Sequence, residues 1–203
     1  MKKNKISKNW IKKQHSDIYV RKSKIEGYRS RAVYKLEEIN NKFKIFKNGA
    51  SLIDLGAAPG SWSQLAEKKI QNSKILSIDL KEIVKIGKVE HIVGDFKDDK
   101  NKKKIKDYFG KKVDIVLSDM AVNTTGNKSL DSIHTCELAI EAMNFSKEIL
   151  KNNGKFVSKI FMGSSFNEVL ILGRKIFKKI NVYKPPSSRK DSKENFIICQ
   201  ILR

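Results

Sequence analysis

The chain is poor in cysteine, histidine and proline, and it has no long apolar run. Its 203 residues include two cysteines, three histidines and three prolines. Cys136 lies in a helical segment and Cys199 in a strand-like one, which indicates buried thiols in a reducing compartment rather than a disulfide framework. The histidines show no spacing typical of metal ligands, so we expect no metal site.

Signals for membrane insertion or secretion are also missing. No apolar stretch approaches the roughly 20 residues that a membrane-spanning helix needs. The basic first ten residues lack the apolar region of a secretory signal. We therefore expect no membrane partner and a cytoplasmic location, with a mitochondrion or another organelle as the alternative.

Positive charge is abundant and unevenly distributed. The net charge is +21, from 37 lysines and 6 arginines against 22 acids. A compositional bias towards lysine would also produce such a total on solvated surfaces, so the distribution is more informative. Residues 1–35 hold twelve Lys or Arg and two acids. We interpret 1–28 as a basic arm containing a short helix, and 29–203 as a single domain. Arginine is scarce in this chain, and the planar guanidinium groups of Arg29, Arg31 and Arg189 have the geometry that suits phosphate.

Strand-like and helix-like segments alternate along most of the chain. The predicted strands are 51–55, 75–80, 90–93, 113–118, 155–161, 179–184 and 195–202. The predicted helices are 29–43, 61–70, 98–109, 131–151 and 165–177. This alternation predicts an α/β fold with a mostly parallel, seven-stranded sheet and helices on both faces. The loop at Pro185 and Pro186 is too short for a helical crossover, so we expect the last strand to be antiparallel.

A glycine turn directly follows the first predicted strand. Residues 54–62 read Asp-Leu-Gly-Ala-Ala-Pro-Gly-Ser-Trp, a strand-turn-helix pattern that brings backbone amides close to a ligand. We expect Asp54, Gly56 and Gly60 to line a nucleotide-like pocket. Ala58 stands where the dinucleotide pattern needs its second glycine, which disfavours a pyrophosphate and an NAD oxidoreductase. An ordinary tight turn is the alternative.

Acidic residues end the next three predicted strands. Asp79, Asp95 and Asp119 would meet at one edge of a parallel sheet, where they would repel a phosphate-rich ligand. Asp79 suits ribose hydroxyls, and Asp95 beside Phe96 suits an adenine. A cationic adenosine derivative, S-adenosylmethionine (SAM), therefore fits better than NAD or ATP. Helix capping is the alternative role for each acid taken singly.

A lysine interrupts the apolar fifth strand. Lys159 lies inside the run Phe156–Phe161, where burial of a charge is costly. The alternative is a strand-end lysine whose ammonium reaches water.

With these features, the chain resembles the FtsJ/RrmJ (RlmE) family of SAM-dependent ribose 2′-O-methyltransferases that act on RNA. The resemblance runs from about Trp10 to Leu202. It is carried by residues 27–36 (GYRSRAVYKL), 54–64 (DLGAAPGSWSQ), 94–96 (GDF), 118–121 (SDMA), 187–189 (SSR) and 192–194 (SKE). Val122 replaces a proline that is usual in the family, and Ser61 stands where glycine is common.

The resemblance implies a Rossmann-like class I methyltransferase fold, a set of site residues and a role in RNA modification. The implied catalytic tetrad is Lys35, Asp119, Lys159 and Glu194. The predicted SAM-binding residues are Gly56, Ala57, Pro59, Gly60, Ser61, Trp62, Asp79, Asp95, Phe96 and Asp119. Arg29, Arg31 and Arg189 are the predicted RNA-binding residues.

The implied reaction is methylation of a ribose 2′-hydroxyl, with a uridine in the A-loop of large-subunit ribosomal RNA as the expected target. The substrate would be the large subunit or its precursor, and we expect a monomer. A tRNA 2′-O-methyltransferase and a non-catalytic RNA-binding ribosome-assembly factor are the alternatives. An ordinary lysine has a pKa near 10.4, so the sequence leaves open whether Lys159 is a base or orients the hydroxyl.

Overall fold

The computed structural model describes residues 17–121 and 127–203. The helices are α1 (Ile18–Ile25), α2 (Ala32–Phe43), α3 (Ser61–Lys69), α4 (Asp99–Phe109), α5 (Lys128–Ile149) and α6 (Phe166–Ile176). The strands are β1 (Ser51–Leu55), β2 (Lys74–Asp79), β3 (Glu90–Val93), β4 (Val113–Ser118), β5 (Leu150–Phe161), β6 (Phe177–Tyr183) and β7 (Glu194–Leu202). Within these residues, no helix is long and apolar enough to cross a membrane.

One seven-stranded sheet runs through the molecule in the order β3-β2-β1-β4-β5-β7-β6. β7 pairs antiparallel with both β5 and β6, whereas the other pairings are parallel. The predicted sheet with its antiparallel last strand is therefore confirmed. The chain moves outwards from β1 to β3 and then returns to place β4 beside β1. This reversal opens a crevice at the carboxyl ends of β1 and β4, where α/β sheets bind ligands.

Apolar layers cover both faces of the sheet. One layer packs α4, α5 and α6 against the face that carries Ile53 and Val116. The other packs α2 and α3 against the face that carries Leu52 and Leu117. Every residue of β1 and β4 is buried. Burial on both faces explains why most residues of these two strands are apolar.

β5 differs from its prediction at its start. It begins at Leu150, which pairs with Val113, but the next pairing joins Ile115 to Lys155. The extra residues of β5 bulge out of the ladder around Gly154, so only the part from Lys155 onwards pairs regularly. A bulge depends on the partner strand, which explains why a local pattern did not reveal it.

α5 begins earlier than predicted. The side-chain oxygen of Asn127 accepts hydrogen bonds from the backbone N–H groups of Ser129 and Leu130, which caps the helix before the predicted start at Asp131. The predicted loop at 123–127 lies mostly outside the described residues.

The short predicted helix near the amino terminus is present as α1. Its cap, Asp17, accepts a hydrogen bond from the backbone of Tyr19, and the Tyr19 ring packs 5.4 Å from that of Tyr34. Residues 17–28 thus pack against α2. Residues 1–16 lie outside the described part, so the arm boundary at residue 28 stays a prediction.

Truncation of a core ring should test this packing. Phe156 is fully buried and stacks on Phe177 with ring centroids 6.1 Å apart. We expect Phe156→Ala to lower the free energy of unfolding by about 3–5 kcal/mol, because the cavity fills only partly. Ile171→Ala, at a side chain that is 53% exposed on α6, should change it by about 0.5 kcal/mol or less. Urea unfolding measures both, and equal losses would contradict the assigned core.

Candidate active site

A cavity of about 600 Å³ occupies the crevice at the carboxyl ends of the strands. Six of the predicted site residues line it: Gly56, Asp79, Asp95, Phe96, Asp119 and Lys159. The sheet therefore brings together three acids that lie far apart in the sequence. Lys81 and Lys97 also line this cavity, next to Asp79 and Asp95.

The glycine turn forms one wall of the cavity. Gly56 has a φ of 72°, and an added Cβ would lie 2.1 Å from Cγ of Met120. Both the left-handed backbone and this close approach require glycine. The expectation that the turn presents backbone amides to a ligand is wrong for four of them. The N–H groups of Gly56 and Ala57 instead donate to the carbonyl oxygen of Ile78. The N–H of Ala58 donates to the Asp79 carboxylate, and the N–H of Gly60 donates to the carbonyl oxygen of Ala57.

Asp79 and Asp95 are held in place by backbone donors. The Asp79 carboxylate accepts hydrogen bonds of 2.9 Å from the N–H groups of Ala58 and Lys81. Asp95 accepts one of 2.9 Å from the N–H of Lys97, whose ammonium lies 3.5 Å from the same carboxylate. These bonds fix both carboxylates at the cavity wall, each with lone pairs to spare.

Lys159 and Asp119 form a buried ion pair on the same wall. Nζ of Lys159 lies 3.0 Å from Oδ1 of Asp119 and also donates to its main-chain carbonyl oxygen. The Lys159 side chain is only 9% exposed. The alternative of a strand-end lysine that reaches water is therefore wrong.

Lys35 and Glu194 form a second ion pair. Nζ of Lys35 lies 2.6 Å from Oε2 of Glu194, and the Ser188 hydroxyl donates to Oε1 at 2.8 Å. The pair belongs to a smaller cavity of about 230 Å³, which is lined by Arg31, Lys35, Arg189, Ser192 and Glu194. Three of these five side chains are cationic, so this cavity suits an anion.

The sheet register places the two ion pairs on one face. In the β5–β7 ladder Lys159 pairs with Phe196, and Phe161 pairs with Glu194. Lys159 and Glu194 are therefore diagonal neighbours on the same face, with Cα atoms roughly 7 Å apart. The Lys35 ammonium lies 5.9 Å from the centroid of the Phe196 ring. Phe196 is fully buried beside the pair, a neighbour of the site that sequence reasoning did not identify.

Five predicted SAM-binding residues are not among the described side chains that line either cavity: Ala57, Pro59, Gly60, Ser61 and Trp62. Trp62 is 2% exposed, packs 5.7 Å from the Phe196 ring and donates its indole N–H to the carbonyl oxygen of Ala32. A Cβ on Gly60 would meet Ile86 and Arg29. The roles of these five residues in SAM binding stay predictions.

All three predicted RNA-binding arginines have protein partners. Arg29 donates to the carbonyl oxygens of Pro59 and Lys85, both at 3.0 Å. Arg31 donates to the Asp17 carboxylate and to the carbonyl oxygen of Ser187. Arg189 makes a longer contact of 3.4 Å with Asp17. RNA binding by these arginines stays a prediction, and sequence reasoning did not find Asp17 as the acceptor that Arg31 and Arg189 share.

Asp54 lies beneath the cavity rather than on its wall, which corrects the expected placement. Its carboxyl is 1% exposed and accepts a 2.7 Å hydrogen bond from the Ser63 hydroxyl. Burial raises the pKa of Asp54 to about 7, and the charges of Asp119 and Asp79 act in the same direction against the Ser63 hydrogen bond. Oδ1 of Asp54 has no hydrogen-bond partner among the described residues.

The doubly wound sheet with its antiparallel last strand, together with the acid-lined crevice, defines a Rossmann-like methyltransferase. Residues 28–202 match the family model described as FtsJ-like methyltransferase, and the chain belongs to that family. In the part of the chain that the structure describes, no group of three His, Cys, Asp or Glu is placed to hold a metal ion.

Known proteins resemble the chain along most of its length. A curated protein of Pelagibacter ubique, named ribosomal RNA large subunit methyltransferase E, is 62% identical over 203 residues and 100% of both chains. Its namesake from Rickettsia felis is 44% identical over 95% of this chain and 88% of its own. Among solved structures, a putative ribosomal RNA methyltransferase from Plasmodium falciparum is 32% identical with a TM-score of 0.78, covering 86% of this chain and 98% of its own.

Asp54→Asn should remove one pH dependence of stability. The native pKa of about 7 lies above the ordinary value of 3.8, so the folded state binds the proton more tightly and stability falls as pH rises from about 4 to about 7. Asparagine still accepts from Ser63 but does not titrate. The variant should therefore gain stability relative to the wild type across this range, by about 1.4 kcal/mol for each pKa unit.

Urea unfolding of both proteins from about pH 4 to pH 8 measures this gain. A difference in stability that stays constant over the whole range would contradict the raised pKa.

Proposed function

We propose that the chain transfers a methyl group from SAM to a ribose 2′-hydroxyl of large-subunit ribosomal RNA. The observation that carries the proposal is the Lys159–Asp119 pair at the cavity wall, with Lys35–Glu194 on the same face of the sheet. A relative that is 62% identical along the whole chain is named as a methyltransferase of the large ribosomal RNA, which supports the substrate.

The residues at the larger cavity fit a cationic adenosine derivative. Asp79 and Asp95 offer carboxylate oxygens to ribose hydroxyls and an amino group, and Phe96 adds an apolar wall. When bound, SAM supplies a methyl group made electrophilic by its sulfonium.

We propose that Lys159 orients the ribose hydroxyl and stabilises the negative charge that develops on its oxygen. An ammonium has three N–H donors. One of them is donated to the main-chain carbonyl oxygen of Asp119. The Asp119 carboxylate lies 3.0 Å away as an ion-pair partner, but its Oδ1 accepts no hydrogen bond from the described residues, so N–H donors remain for a substrate oxygen. The hydroxyl proton then leaves to water.

The RNA backbone would enter from the side of the smaller cavity. Arg31, Lys35 and Arg189 give this cavity a positive lining, and phosphate contacts of this kind position RNA without selecting a base. Arg29 and the basic arm at 1–28 would extend the contact. The finer proposal is a uridine in the A-loop, methylated on the large subunit or its late precursor.

We also propose that the protein works as a monomer in the cytoplasm. All four tetrad side chains come from a single chain. The two curated relatives are bacterial proteins, and the match covers 100% and 88% of their own lengths.

Transfer of tritium from labelled SAM should identify the substrate. We expect label in undermethylated large ribosomal subunits and not in tRNA. The labelled nucleotide should resist alkaline cleavage, because a methylated 2′-oxygen cannot attack the neighbouring phosphate. Label confined to tRNA would move the chain to tRNA modification. Binding to subunits without any transfer would favour a non-catalytic assembly factor.

The pH dependence of single-turnover methylation should show whether Lys159 acts as a hydrogen-bond donor or as a general base. If Lys159 is a donor, the rate should rise much less than the tenfold per pH unit expected of a base with a lysine-like pKa near 10.4. Lys159→Ala should lose about 100- to 1000-fold in rate. Lys159→Arg keeps donors but cannot act as a base, so it should retain more activity than the alanine variant. A tenfold rise per unit, with the arginine variant as slow as alanine, would contradict the donor role.

A further inference from the structure

One face of α2 points at the segment that leads into β7. Arg31, Lys35 and Glu38 follow a spacing of four and three residues, which places them on the same side of the helix. Arg31 and Glu38 contact Ser187, and Lys35 contacts Glu194. Three successive turns of this face are thus bonded to the segment 187–194, which lies about 150 positions away in the chain.

The contact at Glu38 is the best defined of the three. Its Oε2 accepts a hydrogen bond of 2.9 Å from the backbone N–H of Ser187 and another of 2.7 Å from the Ser187 hydroxyl. Ser187 has no exposed surface. Its buried N–H and hydroxyl would lose their acceptor without Glu38, which costs free energy that movement of the segment would relieve.

The next residue connects this anchor to the catalytic pair. The Ser188 hydroxyl donates to Oε1 of Glu194 at 2.8 Å, while Lys35 holds Oε2 at 2.6 Å. Ser188 is 5% exposed. Because Ser187 and Ser188 are adjacent, displacement of the first moves the donor that orients the Glu194 carboxylate.

We propose that Glu38 is a positioning residue for methyl transfer, which acts through Ser187 and Ser188 to fix the Glu194 carboxylate against Lys35. The inference rests on the proposed function, since Glu194 is placed at the reaction by that function. Glu38 touches neither cavity, so it should set the rate of transfer and leave SAM binding unchanged.

Three variants of α2 separate the effect of the Glu38–Ser187 hydrogen bonds from the effect of the negative charge of Glu38. Glu38→Ala removes the acceptor and should lower kcat by about tenfold or more, as expected when a catalytic group is misplaced. Glu38→Gln keeps a side-chain oxygen for both Ser187 donors and should restore most of the rate. Glu37→Ala is the matched control, because Glu37 carries the same charge on the same helix but pairs with Lys69 at 3.5 Å. All three should bind SAM within about twofold of the wild type, by calorimetry.

A double variant tests whether Glu38 acts through Glu194. In a Glu194→Ala background, Glu38→Ala should change kcat by less than about twofold, because coupled residues are not additive. Full additivity of the two losses would overturn the proposal. So would a Glu38→Ala variant with wild-type kcat, or one in which SAM affinity and rate fall together.

Hydrogen exchange provides a readout that needs no substrate. Backbone exchange in residues 184–194 should rise in Glu38→Ala and stay unchanged in Glu37→Ala. Unchanged protection in Glu38→Ala would overturn the positioning role whether or not the protein methylates RNA. Raised exchange in a protein that methylates neither subunits nor tRNA would instead count against the proposed function and leave the anchoring of the segment supported.

Discussion

The site depends on a lysine that is buried in a central strand and paired with the acid at the end of the neighbouring strand. Ser118 of β4 pairs with Ser158 of β5, so the next residue of each strand, Asp119 and Lys159, meet side by side. An unpaired charge at this depth would cost several kcal/mol. A slip of one residue in the β5 register would turn Lys159 to the opposite face. The register of the central strands therefore fixes the chemistry of the site.

The two cavities beside this pair differ in the balance of their charges. Three acids and three lysines line the larger one, whereas three cations and a single acid, Glu194, line the smaller one. Under the proposed function, the cationic methyl donor would occupy the first cavity and the RNA backbone the second, with the reacting atoms at their boundary. Lys159 and Glu194 share the sheet face at that boundary. Lysine-rich composition alone does not create this contrast, because the acids come from three separate strand ends.

The sequence predicted the sheet and most element bounds because periodicity and apolar runs are local. β3 and β4 match their predicted bounds, whereas the start of β5 depends on a bulge against its partner strand. The tetrad came from resemblance, and its pairing was not predicted. The local sequence pattern also could not predict which groups a side chain contacts. Trp62 donates to the backbone of Ala32 inside the protein, and Arg29 donates to the backbone of Pro59 at the surface.

α2 connects parts of the site that the sheet alone would leave separate. It precedes the first strand, yet its backbone accepts the indole of Trp62 and its side chains hold Ser187 and Glu194. The family match also begins before this helix, at residue 28. A Rossmann-like sheet positions Asp119 and Lys159 by register. Glu194 lies at the very start of β7, where strand pairing constrains it less, so a second support is needed. α2 supplies that support, which makes the helix part of the candidate site rather than an extension of the arm.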